Sequence, residues 1–570
     1  MNAAVLPLFV AVPLLVGGLL VVVGDRPRVQ AVTSFAVLAA SLAGGVALVA
    51  HFRDGGAIAH DVGMWETGIA IPFVADMFSA LMLVVTGILT LTCTAFAHAS
   101  GRAASRYFGP LVLVLTAGVN GILLTGDIFN MFVFIEVMVV PAYGLYVLAR
   151  PASATLGQIA GARLFVTVNM LTSTLFVSGV GLVYGVAGTV NLAELQGAAA
   201  EDPFVAAAGA VCLFALSIKA AVVPVHGWLA KAYPGTSPAV TALFSGLNTK
   251  VAIYAIYRIY AVLFDGDSRY LWIGVVAFAA TMVIGVLGAV GETTTRSILA
   301  FHMVSQIGYI LLGVALFTLA GLTAGIFYLL HHMIVKASLF LSTGAIEVRY
   351  GTGRVGALSG IARREPVLAV AFFVAALSLA GIPPFSGFVA KLSLITASIG
   401  AGEIGAVVVM LAVSLVTLLS MLKIWSGMFW DRKAGSAASG AATQQDADAA
   451  PFAEEGDSVP PASAGARPAT NDQAPRTTTN DAAATATVTA ARTATDPTTD
   501  PTDDTATAAE SPVPEDGGRR VGAALAAPAV ALAAVTVALG LGGELLLGLS
   551  ETAAQGLLDT STYVEAVLGR

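Results

Sequence analysis

Charge is scarce in this sequence: of its 570 residues only 11% are Asp, Glu, Lys or Arg, against 57% hydrophobic, and the mean hydropathy is +0.85. That shortage excludes a soluble globular domain, in which about a quarter of residues carry charge. Cysteine is scarcer still. Cys93 and Cys212 lie inside apolar stretches with no neighbouring ligand set, so they read as small buried hydrophobes rather than as a disulfide or a metal site. Strand patterning is missing, and no β-strands are expected. No nucleotide, iron–sulfur or quinone motif is found, so no cofactor or metal is expected. The formal charge of −7 gives no guide to partners because the acids are concentrated in one segment; no nucleic acid is expected among them.

What the sequence has instead is length in its hydrophobic runs. Stretches of about twenty apolar residues recur, each long enough to cross a hydrocarbon core of about 30 Å as a helix. They predict spans near 3–23, 29–51, 73–98, 107–126, 128–149, 163–188, 204–225, 238–264, 271–291, 297–317, 321–346, 367–397, 403–430 and 523–549. The fold class is therefore an all-α polytopic membrane protein of about fourteen crossings. No Lys or Arg precedes the first run, which reads as a retained span rather than a secretory signal.

With the N-terminus outside, the cytoplasmic turns hold Arg26, Arg28, Arg102, Arg106, Arg150, Lys231, Arg296, Arg349, Arg354, Arg363 and Arg364. The opposite turns hold only Arg53 and Arg269. This asymmetry places both termini outside a cell (plasma) membrane. Residues 431–520 change abruptly to Ala, Thr, Asp, Pro and Ser, a composition unable to build a core. They read as a disordered acidic cytoplasmic linker before the last transmembrane helix and tail, 521–570.

A charged residue at the centre of a membrane helix costs about 2.5–3.5 kcal/mol on insertion scales, so each calls for a partner or a task. Glu136 lies about eight residues into its span, roughly 12 Å down at 1.5 Å per residue. Lys219, Lys250, His331, His332, Lys336 and Lys391 are similarly sunk. His332 and Lys336 are four apart and share a helix face along which a proton could pass; His331 points elsewhere and reads as structural. Ser245, Asn248 and Thr249 surround Lys250 with further polar groups. Asp127 reads as a helix cap facing water, a role Asn130 could share.

The seventh and twelfth spans contain Pro224 and the pair Pro383 and Pro384. Each should open mid-membrane, a feature tolerated only where backbone is buried in protein or lines a wet cavity. The octapeptides PVHGWLAK (224–231) and PFSGFVAK (384–391) match at Pro, Gly, Ala and Lys with an offset of 160. Five spans per copy, 4–8 (107–264) and 9–13 (271–430), would make the copies inverted, and spans 1–4 form an N-terminal segment over 1–126.

The segments TGDIFNMFVFIEV, IKAAVVPVHGWLAKAYPGTSPAVTALFSGLNTKVAIYAIYR, SQIGYILLGVA, HHMIVKASLFL and SLAGIPPFSGFVAKL resemble the D-type subunit of the Mrp-type multisubunit monovalent cation/proton antiporters, relatives of the antiporter-like subunits of respiratory complex I. The likeness covers roughly residues 1–430; the acidic linker departs from it. It implies fourteen spans in two inverted five-helix repeats with discontinuous helices 7 and 12. It also implies a proton path through Glu136, Lys219, Lys250, His332, Lys336 and Lys391, and work only in a hetero-oligomer with other Mrp subunits, in membrane lipid, on H⁺ and a monovalent cation such as Na⁺. The expected mechanism pairs Glu136 with Lys219; withdrawing the carboxylate leaves a buried amine that releases its proton to the line beyond. Two rivals remain: a proton-pumping subunit of a redox complex whose cofactors belong to its partners, and a non-transporting scaffold locked by buried ion pairs.

Overall fold

The computed structural model describes residues 2–65, 70–148, 156–430 and 520–569. The described residues all belong to one compact unit. The expected linker, apart from Arg520, and Arg150 of the charge asymmetry lie outside the described residues.

This unit is helical. Helices α1 (Leu8–Val23) and α2 (Pro27–His51) precede α3 (Met77–Ala99), α4 (Phe108–Leu124), α5 (Ile128–Leu148) and α6 (Leu156–Ala187). A single turn, α7 (Ala198–Glu201), leads into α8 (Pro203–Ala220), the stub α9 (Gly227–Ala232) and α10 (Pro238–Leu263). Then come α11 (Leu271–Gly291), α12 (Thr295–Leu316), α13 (Leu319–Tyr350), the turn α14 (Ile361–Arg364), α15 (Pro366–Ala380), α16 (Ser386–Gly400) and α17 (Ile404–Ile424). The chain closes with α18 (Ala523–Leu541), α19 (Gly543–Leu558) and α20 (Ser561–Leu568). Among the described residues twelve helices are long and apolar enough to cross a membrane, joined by the shorter apolar α4, α15 and α16. With α15 and α16 counted as halves of one crossing, these make the fourteen that the apolar runs predict.

The helix starts follow local chemistry. Proline occupies the first turn of α2, α8, α10 and α15, where its missing N–H costs nothing. Side-chain oxygens of Asp76, Asp202, Ser237, Thr294 and Thr318 cap α3, α8, α10, α12 and α13. Helices α10 and α13 are buried along their length and form the centre; α13 packs against α10, α12, α15, α16, α18 and α19.

The element order runs twice. From α4 and from α11 the chain makes two helices, then a 32-residue helix (α6, α13), then a four-residue turn opened by a left-handed glycine, Gly197 or Gly360, both at φ 70°. An acid–proline step follows, Asp202–Pro203 or Glu365–Pro366, then an interrupted helix and a final span. The interruptions match too. Positive φ at Ala221 (65°) and Gly381 (88°) comes three residues before a cis proline, Pro224 and Pro384.

Three features depart from the sequence reading. Two antiparallel strands, β1 (Ala57–Asp61) and β2 (Pro72–Asp76), pair with Ala57 opposite Asp76, although no strands are expected. At five residues each, they are too short to stand out beside the apolar run they adjoin. The last span, expected over 523–549, stops at Gly542, and the tail beyond it is helical. Tyr563 of α20 is buried against Arg258, whose guanidinium lies 4.9 Å from the ring centroid. Finally, Asp127 caps as expected, accepting from the Asn130 amide at 2.6 Å, but it does not face water. It is 8% exposed, covered by the 190–193 segment, whose Val190 carbonyl accepts from Ile128 and whose Leu192 amide donates to Gly126. Burial pushes its carboxyl above the usual carboxylate value, and amide donors from Asn130 and Phe129 act against that.

Candidate proton-handling site

Each intramembrane amine is held by a neutral oxygen. Lys219 sits in the last turn of α8 and donates at 2.9 Å to the Asn169 side-chain oxygen of α6. Asn169 is oriented by its own donation to Phe165 O, 2.8 Å, within the same helix. Lys250 donates to Thr249 Oγ1 at 3.0 Å, Lys336 to the Leu299 carbonyl at 3.0 Å, and Lys391 to the Ala380 carbonyl at 2.9 Å. All four lysines are buried.

Glu136 does not touch Lys219. It is half-buried on α5, and its Oε1 is enclosed without a hydrogen-bond partner. The ion pairs Arg258–Asp76, Arg269–Asp267 and Arg296–Glu347 all lie outside the lysine line. Glu136 and Lys219 still interact through space. The expected direct pair is therefore replaced by a lysine on an amide with the carboxylate nearby, because Asn169 from the neighbouring α6 reaches the ammonium first.

The two broken helices present their lysines to the same kind of electrostatic feature. Lys219 belongs to the C-terminal turn of α8; Lys391, from α16, reaches back across the break to the C-terminal carbonyl end of α15. Helix C-termini carry partial negative charge and favour a cation. Gly381 makes room for this reach, since a Cβ there would stand 2.6 Å from Lys391 Cδ. Lys391 Nζ also lies 5.2 Å from the Tyr309 ring centroid, within cation–π range.

Between these ends lies a cluster on α10, α12 and α13. His332 is wholly buried, with neither ring nitrogen hydrogen-bonded. Electrostatic interactions tie it to Lys250, Lys336 and His331, and tie His302 to Lys336 and Lys391. His331, read from the sequence as structural, contacts Ser386 Oγ at 2.8 Å, at the start of the second half of the broken helix. Among the described residues no hydrogen bond or electrostatic interaction links Lys219 to Lys250. The site thus gathers Lys250, His332, Lys336 and Lys391 into one neighbourhood and Glu136 with Lys219 into another.

Four further polar residues, Asn169, His302, Gln306 and Arg258, are not singled out by the sequence reading. His302 bonds Ser420 Oγ at 2.8 Å, Gln306 accepts from Tyr328, and Arg258 makes a buried ion pair with Asp76 at 2.6 Å. Each carries the signal that marks the lysines, a polar residue inside an apolar run. The octapeptide match also misleads at its last position: Lys391 is buried in the 15-residue α16, whereas Lys231 is exposed at the end of the six-residue α9.

A family model described as NADH:quinone oxidoreductase/Mrp antiporter, TM, matches residues 125–419. The D-type subunit of the Na(+)/H(+) antiporter of Alkalihalophilus pseudofirmus is 36% identical over 435 residues, spanning 75% of this chain and 87% of that protein. A chain in the structure of the Mrp complex from Dietzia sp. superposes with a TM-score of 0.84 at 56% identity, covering 100% of this chain and 99% of the other. A chain of the archaeal membrane-bound sulfane sulfur reductase superposes at 0.75 with 21% identity, covering 99% and 100%, a likeness of fold alone. The element order, the interrupted helices and these matches agree: the chain belongs to the NADH:quinone oxidoreductase/Mrp antiporter membrane family, as a member of its Mrp D-type branch.

Proposed function

We propose that this chain is the proton-translocating subunit of a multisubunit Na⁺/H⁺ antiporter in the plasma membrane, working beside other Mrp-type subunits. The observation that carries this reading is the excess of buried amines over carboxylates. Four buried lysines rest on neutral oxygens, and the nearest acid, Glu136, stands off from Lys219 with an unpartnered oxygen. A scaffold locked by ion pairs would need carboxylates in contact with those amines. Amines held by single neutral acceptors can instead gain and lose a proton.

In this reading Glu136 and Lys219 load the proton, and Asn169 is the resting acceptor of Lys219. A buried amine favours its charged form when a carboxylate approaches and its neutral form when the carboxylate withdraws. The proton then passes to Lys250, His332, Lys336 and Lys391, with Pro224, Pro383 and Pro384 keeping both interruptions open. Buried polar atoms without protein partners, at His332, His302 and Gln306, call for water along this route. The two matching element sets act as inverted repeats, with both termini outside and the 431–520 linker cytoplasmic. The alternative, a pumping subunit of a redox complex, rests on the shared fold of the sulfane sulfur reductase chain and places all redox chemistry in partner subunits.

The test is cation-dependent proton flux in everted vesicles carrying the whole operon. Glu136→Gln and Lys219→Ala should each abolish it with the complex assembled; full flux in either removes that residue from the mechanism.

A further inference from the structure

A cavity of about 420 Å³ opens where the turn before α2 meets the turn before α4, in the N-terminal segment outside the lysine line. Its polar lining is Arg26, Arg106, Gln30, Ser105 and His98, with Asp25 as the single acid. Arg28 lies in the first turn of α2 and Arg102 in the turn before α4. Among the described residues no salt bridge holds Arg26 or Arg106: Arg106 bonds the neighbouring Tyr107 hydroxyl and interacts with the Asp25 carboxylate only through space.

Two long helices begin at the same cavity. Helix α2 starts at Pro27 and α4 at Phe108, and neither N-cap residue, Arg26 or Tyr107, makes a side-chain capping bond. In α4 the Phe108 amide already donates to the Ser105 carbonyl and Pro110 has no N–H, which leaves Gly109; in α2, after Pro27, the amides of Arg28 and Val29 are left, and these with the partial positive charge of both helix starts favour an anion. Behind the wall at Gly109, Ser34 is buried with its hydroxyl unpartnered. The half-exposed Tyr107 and exposed Val29 and Val32 give the rim the aromatic and apolar character of a membrane interface.

We propose that this cavity holds the phosphate head group of an anionic membrane lipid between Arg26 and Arg106, its acyl chains lying along the exposed apolar face of α2. The phosphate accepts from the guanidinium groups and from first-turn amides; the position at the ends of two spans selects a lipid over a soluble anion. On the orientation proposed above, this is the cytoplasmic leaflet, where basic clusters beside spans recognise anionic lipids.

The assembled complex, purified in detergent, is mixed with phosphatidylglycerol or phosphatidylcholine, and bound lipid on this subunit is read by native mass spectrometry. Phosphatidylglycerol should be retained preferentially, and the double variant Arg26→Gln/Arg106→Gln should lose that retention by about thirtyfold. The double variant Arg26→Lys/Arg106→Lys should keep most of it, which separates lost charge from lost folding. Equal retention of phosphatidylcholine, or unchanged retention in the glutamine variant, overturns the proposal. So does displacement of the lipid by millimolar inorganic phosphate, which would assign the cavity to a soluble anion.

Discussion

Replacing Asn169 with leucine isolates the contact that stands where a Glu136–Lys219 pair is expected. Leucine keeps the γ-branched outline of asparagine but is larger by about two methylene groups, so assembly must be checked while the hydrogen-bond acceptor of Lys219 disappears. A hydrogen bond to a charged group contributes about 1.5–3 kcal/mol, and a buried ammonium stripped of it must find Glu136 or shed its proton. That energy corresponds to a shift of roughly ten- to a hundredfold between proton-loaded and empty Lys219 at fixed geometry. The assay is proton flux in everted vesicles over a range of pH, with assembly checked by native gel. Asn169→Leu should slow exchange at least tenfold, most severely at the alkaline end, where loading is hardest. Asn169→Asp should also slow it, for the opposite reason: a permanent carboxylate beside Lys219 holds the proton in place. If the leucine variant assembles and transports within about twofold of the parent at every pH, the amide is packing and the loading scheme is wrong.

Other perturbations test the remaining geometry. Gly387→Ala drives a Cβ into the Ser378 carbonyl oxygen and should prevent stable assembly, whereas Gly227→Ala, the same position in the first octapeptide, meets nothing within 4 Å and should assemble normally; complex yield compares them. Gly381→Ala forces a side chain to φ 88° and into Lys391 Cδ, so flux should fall further than for Gly400→Ala, which meets open space. Arg258→Ala leaves Asp76 buried and unpaired at a cost of about 3–5 kcal/mol, and should lower the detergent melting temperature more than the double variant Arg258→Met/Asp76→Asn. Burial raises the Asp127 carboxyl above its ordinary 3.8, so the folded state binds more protons than the unfolded one and stability falls as pH climbs through the range above that value. Asp127→Asn keeps a capping oxygen and should flatten the fall, with melting curves of the two proteins converging at acid pH.

Much of this arrangement is written in the sequence because lipid makes the signal loud. A lysine in a run such as LFALSIKAAVV can only be a cost that something offsets, and a proline pair in SLAGIPPFSGF can only be an opening. Position and residue type suffice there. Partners are harder to read. Asn169 sits in LFVTVNMLTS among threonines and serine, where any one polar residue looks like its neighbours, and its contact with Lys219 spans fifty positions. Arg258 lies near the end of α10 and pairs with Asp76 across 182 residues, a link that depends on β2 delivering the carboxylate to the head of α3. The Lys231–Lys391 equivalence fails for a different reason. Matching octapeptides lead into helices of unequal length, and the length is set downstream, where Tyr233, Pro234 and Gly235 tighten the chain into a short 3₁₀ turn in the first copy only.

The seating of Tyr563 on Arg258 also bears on biogenesis. Spans enter the bilayer in order of synthesis, yet the aromatic lid over a central guanidinium comes from Tyr563, and α18 reaches the middle of the bundle, where its Ala529 carbonyl accepts from Ser338, only after residues 431–519 have been made. The nascent polypeptide must therefore wait at the membrane with its middle uncovered until Tyr563 has been made, and a chain cut short before that residue would insert its earlier spans without the ring that covers Arg258.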